Sequence, residues 1–320
     1  MFGKDISKAV AFLNKDDLIG FPTETVYGLA ANAFSIAAVQ KIYQLKKRPT
    51  SNPLILHTHS VEAAVKYTSK MNPAAIKLAK SFWPGPLTLL LPKNNLIPDC
   101  VTSGSPLVAI RVPNHPVALA LLTALDYPLV APSANPYTRI SPTNAQMVDD
   151  YFGESLPYIL DGGSCAKGIE STIVGFDGDS PIVFRQGAIS IDAIEFVVGK
   201  VKMKHEVKQE IVTPGMTKLH YAPKTKMHII ENLLDFMNVS PNHKVGFIGM
   251  GDRHICHPNL VFVSLSENND LEEASMNLYQ SMYILDSLGL DCIVIKKFPE
   301  HGIGRSMNDR IRRATYVSSE

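Results

Sequence analysis

The chain has 320 residues, of which 45% are hydrophobic and 19% are charged, and its formal net charge is +1. Because one hydrophobic core rarely organises a chain of this length, two domains are expected. The nearly neutral balance excludes a protein that grips nucleic acid mainly through its overall charge, although a local basic patch is compatible with it.

The four cysteines form no CxxC pair, which favours a reducing compartment over a disulfide framework. No apolar run approaches the length of a membrane span, and Lys4 and Asp5 stand where a signal peptide would be apolar. These features predict a soluble cytoplasmic protein with no membrane partner.

Through residue 199, short β-rich runs are interleaved with amphipathic segments of helical period, which is typical of an α/β layer structure. The predicted strands are 18–21, 53–57, 86–91, 107–112, 128–133, 157–160, 171–176 and 181–185. The predicted helices are 5–15, 35–47, 60–68, 73–82, 116–125, 143–151 and 190–198.

Residues 200–226 are charged, lack apolar periodicity and include two prolines, so we predict an interdomain linker there. It would join a larger domain at 1–199 to a smaller domain at 227–320. In the smaller domain the pattern predicts a parallel sheet flanked by helices. Its predicted elements are strands 227–232, 244–250, 260–265 and 292–297, and helices 271–288 and 304–315.

Several turns at strand ends collect small polar residues, where open α/β sheets usually form a ligand crevice. The turn "FPTETVYG" (21–28) places four hydrogen-bonding side chains in five residues. In "AIRVPNHP" (109–116), Arg111 interrupts an otherwise apolar strand. A buried guanidinium must be paired, so the sequence leaves two alternatives for Arg111: a structural Asp or Glu, or the carboxylate of a ligand.

The stretch "LKKRPTSNPLILH" (45–57) holds three consecutive cations, which suit either a solvated helix end or an anion site. In "APSAN" (131–135), Ser133 and Asn135 would point the same way from an extended backbone. Ser141 of "SPT" is a candidate helix cap. The glycine-rich "DGGSCAKGIEST" (161–172) and Arg185 of "FRQG" offer the amides, hydroxyls and cation that phosphate binding needs.

Several standard motifs are absent. The sequence contains no GxxxxGK[ST], no GxGxxG and no GxSxG. The segment "RHICHP" (253–258) matches no standard zinc-ligand spacing. A nucleotide would therefore be held without a P-loop.

Taken in order, the motifs resemble the YrdC-like family: "FPTETVYGL", the Lys-x-Arg of "KKRP", "NPLILH", "WPGPLT", "AIRVPNHP", "APSAN", "SPT", "GIESTIV" and "RQG". The segments "PGMTKLHYAP" (214–223) and "PEHGIGRSMNDRIRRA" (299–314) are similar to its two-domain form, the L-threonylcarbamoyladenylate synthases. The resemblance implies a YrdC-like twisted mixed sheet with helices, followed by a smaller Rossmann-like α/β domain.

The resemblance also implies an activity. Such enzymes condense L-threonine, bicarbonate and ATP, with Mg²⁺, into threonylcarbamoyl-AMP and pyrophosphate. The product would pass to the tRNA threonylcarbamoyl-transfer machinery, which modifies tRNA next to the anticodon. Direct contact with tRNA is compatible with this activity but not required by it.

The family motifs assign roles to individual residues. They imply that the Lys-x-Arg and Ser-x-Asn pairs are catalytic and meet the nucleotide phosphates: Lys46, Arg48, Ser133 and Asn135. On the ATP side they add Ser141 and Arg185, and from a lid formed by the linker Lys218, His220 and Tyr221. Around threonine they imply Thr23, Tyr27, His57, Arg111, Ala131 and Ser171.

The sequence leaves two alternatives for His57 and two for the activity of the chain. His57 could act as a general base or only donate and accept hydrogen bonds, because its reference pKa lies near neutrality. Lys47, between the two motif cations, is expected to face solvent, and Glu24 is expected to have a local structural role. The alternatives to the synthase are an RNA-binding YrdC-like module without adenylation activity and a carbamoyl or acyl-phosphate transferase.

Overall fold

The computed structural model describes residues 2–206, 219–239, 242–251 and 257–316, which fall into two units. The first unit holds residues 2–137, 142–166 and 170–206, and the second holds 138–141, 167–169 and the described residues from 219 onward. Each unit has its own sheet and its own apolar core.

Helices and strands alternate along the first unit, which confirms the predicted α/β layer structure. Its strands are β1 (Phe2–Gly3), β2 (Ile19–Phe21), β3 (Gly28–Asn32), β4 (Ile55–His57), β5 (Leu87–Pro92), β6 (Leu107–Arg111), β7 (Leu129–Val130), β8 (Tyr158–Leu160), β9 (Thr172–Asp177), β10 (Ser180–Arg185) and β11 (Lys202–Met203). Its α-helices are α1 (Ile6–Leu13), α2 (Ile36–Lys46), α3 (Val61–Val65), α4 (Pro73–Phe82), α5 (Asp99–Thr102), α6 (Pro116–Thr123), α7 (Ala145–Phe152) and α8 (Ile191–Val198).

Short polar side chains fix where several of these helices begin. Ser35, Ser60, Asn72, Asn144 and Ser190 each accept a hydrogen bond from a backbone amide in the first turn of α2, α3, α4, α7 and α8, respectively. Such caps satisfy amides that have no partner within the helix. The predicted helix starts are therefore close to the observed ones.

The first sheet is mixed and twisted, as predicted. Its strand order is β1-β8-β2-β3-β7-β4-β6-β5-β9-β10-β11. The predicted strand 128–133 shortens to Leu129–Val130. Pro128 and Pro132 bracket this pair and lack the N–H group that a sheet ladder needs. The sequence did not predict β3, because "GLAAN" has no β-branched or aromatic residue.

Helices cover the two faces of this sheet unequally. One face packs against α2, α4, α5, α7 and α8 in the main core, to which Leu56, Leu89, Ile110, Val174 and Val183 contribute from five adjacent strands. The opposite face splits into two smaller clusters. One lies under α1 and α6, and the other is formed by strand residues around Leu90 and Ile173.

The second unit contains a parallel sheet, as the sequence predicted. Its strands are β12 (Met227–Ile229), β13 (Val245–Gly249), β14 (Leu260–Ser264) and β15 (Cys292–Ile295), in the order β12-β15-β13-β14. Its helices are α9 (Leu233–Val239), α10 (Leu271–Asp286) and α11 (Gly304–Ala314). No helix among the described residues is long and apolar enough to cross a bilayer.

Asp286, at the end of α10, organises the approach to β12 inside the second unit. Its carboxylate accepts hydrogen bonds from the backbone amides of Lys224 at 2.9 Å and Thr225 at 2.7 Å. The Arg139 guanidinium lies 3.6 Å from the same carboxylate. One acidic side chain thus fixes the start of the segment that leads into the second sheet.

We expect Asp286→Asn to lower the stability of the chain by about 1 kcal/mol, because an amide has one acceptor oxygen and can pair with only one of the two backbone amides, that of exposed Lys224 or that of half-buried Thr225. The measurement is the urea midpoint of the full chain. The exposed Asp235, substituted in the same way, is the matched control. Equal midpoints for the two variants would contradict this role of Asp286.

Candidate active site

Alternation along three neighbouring strands brings polar side chains into one row. β4, β6 and β5 lie side by side, and the register places His57 opposite Arg111 and Arg111 opposite Thr88. Their strand neighbours Leu56 and Ile110 belong to the main core. Because successive strand residues point to opposite faces, the polar row lies on the face away from that core.

Arg111 is buried and has two partners from the loop that follows β2. Its Nη1 donates to Thr25 Oγ1 at 2.8 Å, and its Nη2 lies 2.8 Å from Glu24 Oε2. The first of the two sequence alternatives, an acidic partner within the chain, is therefore present. A guanidinium carries five N–H groups, so this pairing leaves donors for a ligand carboxylate as well.

Thr23 holds the loop that supplies these partners. Its hydroxyl donates to the carbonyl of Val26 at 2.6 Å and accepts from the amides of Thr25 and Val26 at 3.2 and 3.3 Å. The Thr23 and Thr25 hydroxyl oxygens are 2.9 Å apart. This network is a side-chain turn that fixes Thr25 beside Arg111.

Ser171 extends the row toward β10. Its Oγ lies 2.7 Å from Thr88 Oγ1, and it accepts from Arg185 Nη2 at 3.0 Å. Arg185 Nε also donates to the backbone carbonyl of Ser171 at 3.1 Å. Two cations, Arg111 and Arg185, thus stand on one sheet face with hydroxyl groups between them, an arrangement suited to anionic ligands.

Lys46 joins the Lys-x-Arg and Ser-x-Asn motifs. Its ammonium donates to the backbone carbonyl of Ser133 at 2.6 Å and to that of Asn135. The side chain is only 1% exposed, and burial, followed by the charge of Arg48, holds its pKa well below its ordinary value. Since an ammonium has three hydrogens, two carbonyls leave one for a phosphate oxygen.

Arg48 is oriented by the polar spacer that follows it. Its Nη2 donates to Asn52 Oδ1 at 2.6 Å and to the carbonyl of Pro53 at 2.9 Å, and its guanidinium lies 5.9 Å from the centroid of the Tyr137 ring. Lys47, between the two motif cations, ends α2 in the left-handed conformation and is exposed, as predicted. Reversal of the backbone at Lys47 lets Lys46 and Arg48 both turn inward.

His57 is neutral at ordinary pH. Burial, and secondarily the charge of Arg111, lowers its pKa from 6.5 to about 3. Its Nδ1 lies 3.1 Å from the carbonyl of Ile55, so in the neutral ring Nδ1 is the donor and Nε2 the acceptor. The ring also packs edge-on against Phe21.

This lowered pKa predicts a pH dependence of stability. Between pH 6.5 and about 3, the His57 imidazole is protonated in the unfolded chain and neutral in the folded chain. The free energy of unfolding is therefore unaffected by this group above pH 6.5 and decreases as the pH falls from 6.5 toward 3. We expect His57→Gln to flatten the slope of unfolding free energy against pH by about 1.4 kcal/mol per unit below pH 6.5. Urea titrations across this range measure it, with the exposed His59→Gln as control. Parallel slopes for wild type and His57→Gln would contradict it.

Two further predicted threonine-site residues lie in the first unit. The Tyr27 hydroxyl donates to the carbonyl of Gly163 at 2.7 Å and accepts from the amide of Gly162 at 3.0 Å, and burial raises its pKa. The Ala131 amide donates to the carbonyl of Ile55 at 3.1 Å. A Cβ at Gly28 would come within 2.9 Å of the Ala131 Cβ, so the backbone approach between β3 and this segment depends on glycine.

Four predicted residues are not part of the first unit as the structure describes it. Ser141, His220 and Tyr221 belong to the second unit and are buried there. The Tyr221 ring stacks on Tyr279, and the Arg310 guanidinium lies 5.1 Å from its centroid. Lys218 lies outside the described residues, as do positions 253–256 of the "RHICHP" segment. Among the described residues no group of three or more His, Cys, Asp or Glu side chains could hold a metal ion.

A cavity of about 270 Å³ borders His57 and is lined by α3 and the connection between α6 and β7. Lys66, Tyr67, Asp126 and Tyr127 contribute its polar groups. His57 is the one predicted site residue in its lining. The cavity therefore lends no support to the assignments of the other predicted residues.

Sequence reasoning did not single out Thr88 or Asn52, and it assigned Glu24 to local structure. Thr88 was detectable, because it is the one polar residue in the run "LTLLL" and shares strand parity with Leu90 on the face away from the main core. No sequence signal paired Glu24 with Arg111, because the two residues meet only in the folded sheet.

The polar row, the two cationic motifs and the parallel second sheet define a YrdC-like α/β enzyme domain combined with a smaller α/β domain. Two family models match accordingly. The family described as "Telomere recombination" matches residues 11–187, and the one described as "Threonylcarbamoyl-AMP synthase, C-terminal domain" matches residues 189–315.

Several curated proteins are similar in sequence to almost the whole of this chain. The threonylcarbamoyl-AMP synthase of Pyrococcus abyssi is 36% identical over 321 residues, covering 96% of this chain and 93% of that protein. That of Bacillus subtilis is 35% identical over 319 residues, with coverages of 97% and 92%. The crystal structure of P. abyssi Sua5 complexed with L-threonine matches with a TM-score of 0.90 at 33% identity, over 98% of this chain and 97% of that one. The chain belongs to the two-domain threonylcarbamoyl-AMP synthase family and is an enzyme, as the sequence resemblance predicted.

Proposed function

We propose that this chain condenses L-threonine, bicarbonate and ATP into threonylcarbamoyl-AMP and pyrophosphate. The observation that carries the proposal is the buried cluster on one sheet face, in which Arg111 and Arg185 stand among hydroxyl groups beside a neutral His57. The names of relatives that cover more than nine-tenths of the chain support it.

On the threonine side, Arg111 is assigned to the substrate carboxylate, because its planar fork suits a carboxylate and its side chain is already fixed by Thr25. The side chains proposed to surround the rest of threonine are Thr23, Tyr27, His57, Ala131 and Ser171. Orientation by a prearranged cluster lowers the entropy cost of bringing the amine to its reaction partner.

On the nucleotide side, Lys46, Arg48, Ser133 and Asn135 are proposed to bind the phosphates of MgATP. Hydrogen bonds from Lys46 to the carbonyls of Ser133 and Asn135 support this assignment, because they hold the Lys-x-Arg and Ser-x-Asn motifs in contact with each other. Mg²⁺ enters as part of the substrate complex, coordinated by phosphate oxygens, as is usual for this ion. Ser141 and Arg185 are proposed to contact the same nucleotide.

The chemistry follows in two steps. The neutral amine of threonine attacks the carbon of bicarbonate or carbon dioxide, loses one proton and becomes an N-carboxylate. With bicarbonate, the proton and the departing hydroxide leave together as water; with carbon dioxide, no group departs and the proton passes to solvent. A carboxylate oxygen then attacks the α-phosphorus of ATP, the bond to the bridging oxygen of the β-phosphate breaks, and pyrophosphate leaves. Fixed cations around the phosphates stabilise the charge that develops on their oxygens. No protein nucleophile is needed.

The product is a mixed anhydride and hydrolyses in water. We propose that the linker at 200–226, with Lys218, His220 and Tyr221, closes over the nucleotide and excludes water during the reaction. The product would serve the threonylcarbamoyl transfer to tRNA next to the anticodon, and we propose that the enzyme works in the cytoplasm, where that transfer takes place.

The test is release of pyrophosphate from MgATP by the purified full chain. We expect release only when L-threonine and bicarbonate are both present, with D-threonine as the matched control for substrate geometry. Release that is equal without threonine, or no release with all substrates present, would contradict the proposed function and favour an RNA-binding module.

A further inference from the structure

Glu24 is a buried carboxylate whose hydrogen-bonding capacity is not used. The residue is 7% exposed, and within the described chain its Oε1 has no hydrogen-bond partner. Buried carboxylates normally accept several hydrogen bonds. The unused oxygen is therefore a feature that local structure does not account for.

Its ion-pair partner has a complementary unused group. Arg111 Nη2 lies 2.8 Å from Glu24 Oε2, and Nη1 donates to Thr25 Oγ1. Arg111 Nε is buried and, among the described residues, has no acceptor. One ion pair thus presents a free donor on its cationic member and a free acceptor on its anionic member.

The other ionisable groups near Glu24 are His115 and Cys165. Burial lowers the pKa of His115, and burial raises the pKa of the Cys165 thiol, which the charge of Glu24 raises further. Neither is a cation that competes for Glu24 at neutral pH. Arg111 is therefore its one charged partner in the described structure, and that partner is shared with the proposed substrate carboxylate.

We propose that Glu24 binds the α-ammonium of threonine while Arg111 binds its carboxylate, so that the pair selects a zwitterion. This inference rests on the proposed function. An α-amino acid carries its ammonium and its carboxylate on the same carbon. These two neighbouring groups match the free acceptor of Glu24 and the free donor of Arg111, which lie on two side chains in contact. A carboxylic acid without an ammonium would bring a second negative charge to the Arg111 guanidinium, which already pairs with Glu24.

The experiment compares L-threonine with its des-amino analogue, 3-hydroxybutyrate of matching configuration, by calorimetric titration of the full chain. In Glu24→Gln we expect threonine affinity to fall by at least about 30-fold, because an ammonium loses its buried counter-charge. The affinity for 3-hydroxybutyrate should stay the same or increase. The ratio between the two ligands is thus the readout, and a purely structural role of Glu24 would not change it.

Glu195→Gln is the matched control, since this half-exposed glutamate accepts a hydrogen bond from the amide of Val201 and lies outside the site. If Glu24→Gln does not fold, Glu24→Asp is the alternative variant, because it keeps the negative charge. It should keep the preference for threonine over 3-hydroxybutyrate. Equal losses for both ligands, or unchanged threonine affinity in Glu24→Gln, would overturn the inference. Wild-type protein that binds no threonine would instead overturn the proposed function.

Discussion

Replacement of Lys46 by methionine is expected to lower pyrophosphate release by at least about 100-fold, whereas Lys47→Met should keep the wild-type rate. The two lysines are neighbours in sequence, yet Lys46 is 1% exposed and bonded to the carbonyls of Ser133 and Asn135, while Lys47 faces solvent. Methionine fills similar volume but removes the charge that would face the phosphates.

The same variant should lose about 1–3 kcal/mol of stability, because the buried Asn135 carbonyl loses the Lys46 ammonium as a donor. The Ser133 carbonyl also loses Lys46 but keeps the Asn135 amide as a donor at 3.0 Å. Steady-state rates at saturating threonine and ATP, together with urea midpoints, separate the two effects. A Lys46→Met protein that is folded and releases pyrophosphate at the wild-type rate would remove Lys46 from the catalytic groups.

Arg111→Gln is expected to weaken threonine binding by about 100-fold and to leave ATP binding within a few-fold of wild type. The variant removes the cation assigned to the substrate carboxylate and leaves Glu24 buried without its 2.8 Å partner. Loss of one member of a buried ion pair costs about 3–5 kcal/mol of stability.

A double variant separates binding from folding. Glu24→Gln combined with Arg111→Gln removes both charges and should recover most of the lost stability, because no uncompensated charge remains buried. It should not recover threonine affinity. Calorimetry with threonine and with ATP, beside urea titration, measures both. Equal weakening of the two ligands in Arg111→Gln would place Arg111 outside the threonine pocket.

The regular elements were largely predictable because local pattern decides them. The helix at 73–82 has its predicted bounds, with Asn72 as cap and Pro73 in the first turn. The strand predicted at 107–112 spans Leu107–Arg111. In these segments the alternation of apolar and polar residues, the helix caps and the prolines all indicate the same secondary structure. Such agreement is what makes an element predictable from the sequence.

The elements that were missed depend on their neighbours. The strand at Gly28–Asn32 has little intrinsic strand propensity and is held by β2 on one side and β7 on the other. The helix at Leu233–Val239 is too short for its periodicity to be distinguished from a loop. Such elements are decided by tertiary contacts.

Sequence motifs selected most residues of the candidate site, but not their contacts. Arg111 stood out as a cation within an apolar strand, whereas its pairing with Glu24 needs the folded sheet. Likewise, the cation run indicated an anion site, whereas the hydrogen bonds of Lys46 to the Ser133 and Asn135 carbonyls bring together segments far apart in the chain.

In the proposed reaction, bicarbonate is joined to threonine before adenylation. The most direct test incubates the full chain with MgATP, L-threonine and carbon-13 bicarbonate and analyses the nucleotide product by mass spectrometry. We expect threonylcarbamoyl-AMP that carries the labelled carbon. An unlabelled adduct of threonine and AMP would contradict it, because threonine would then be activated through its own carboxylate.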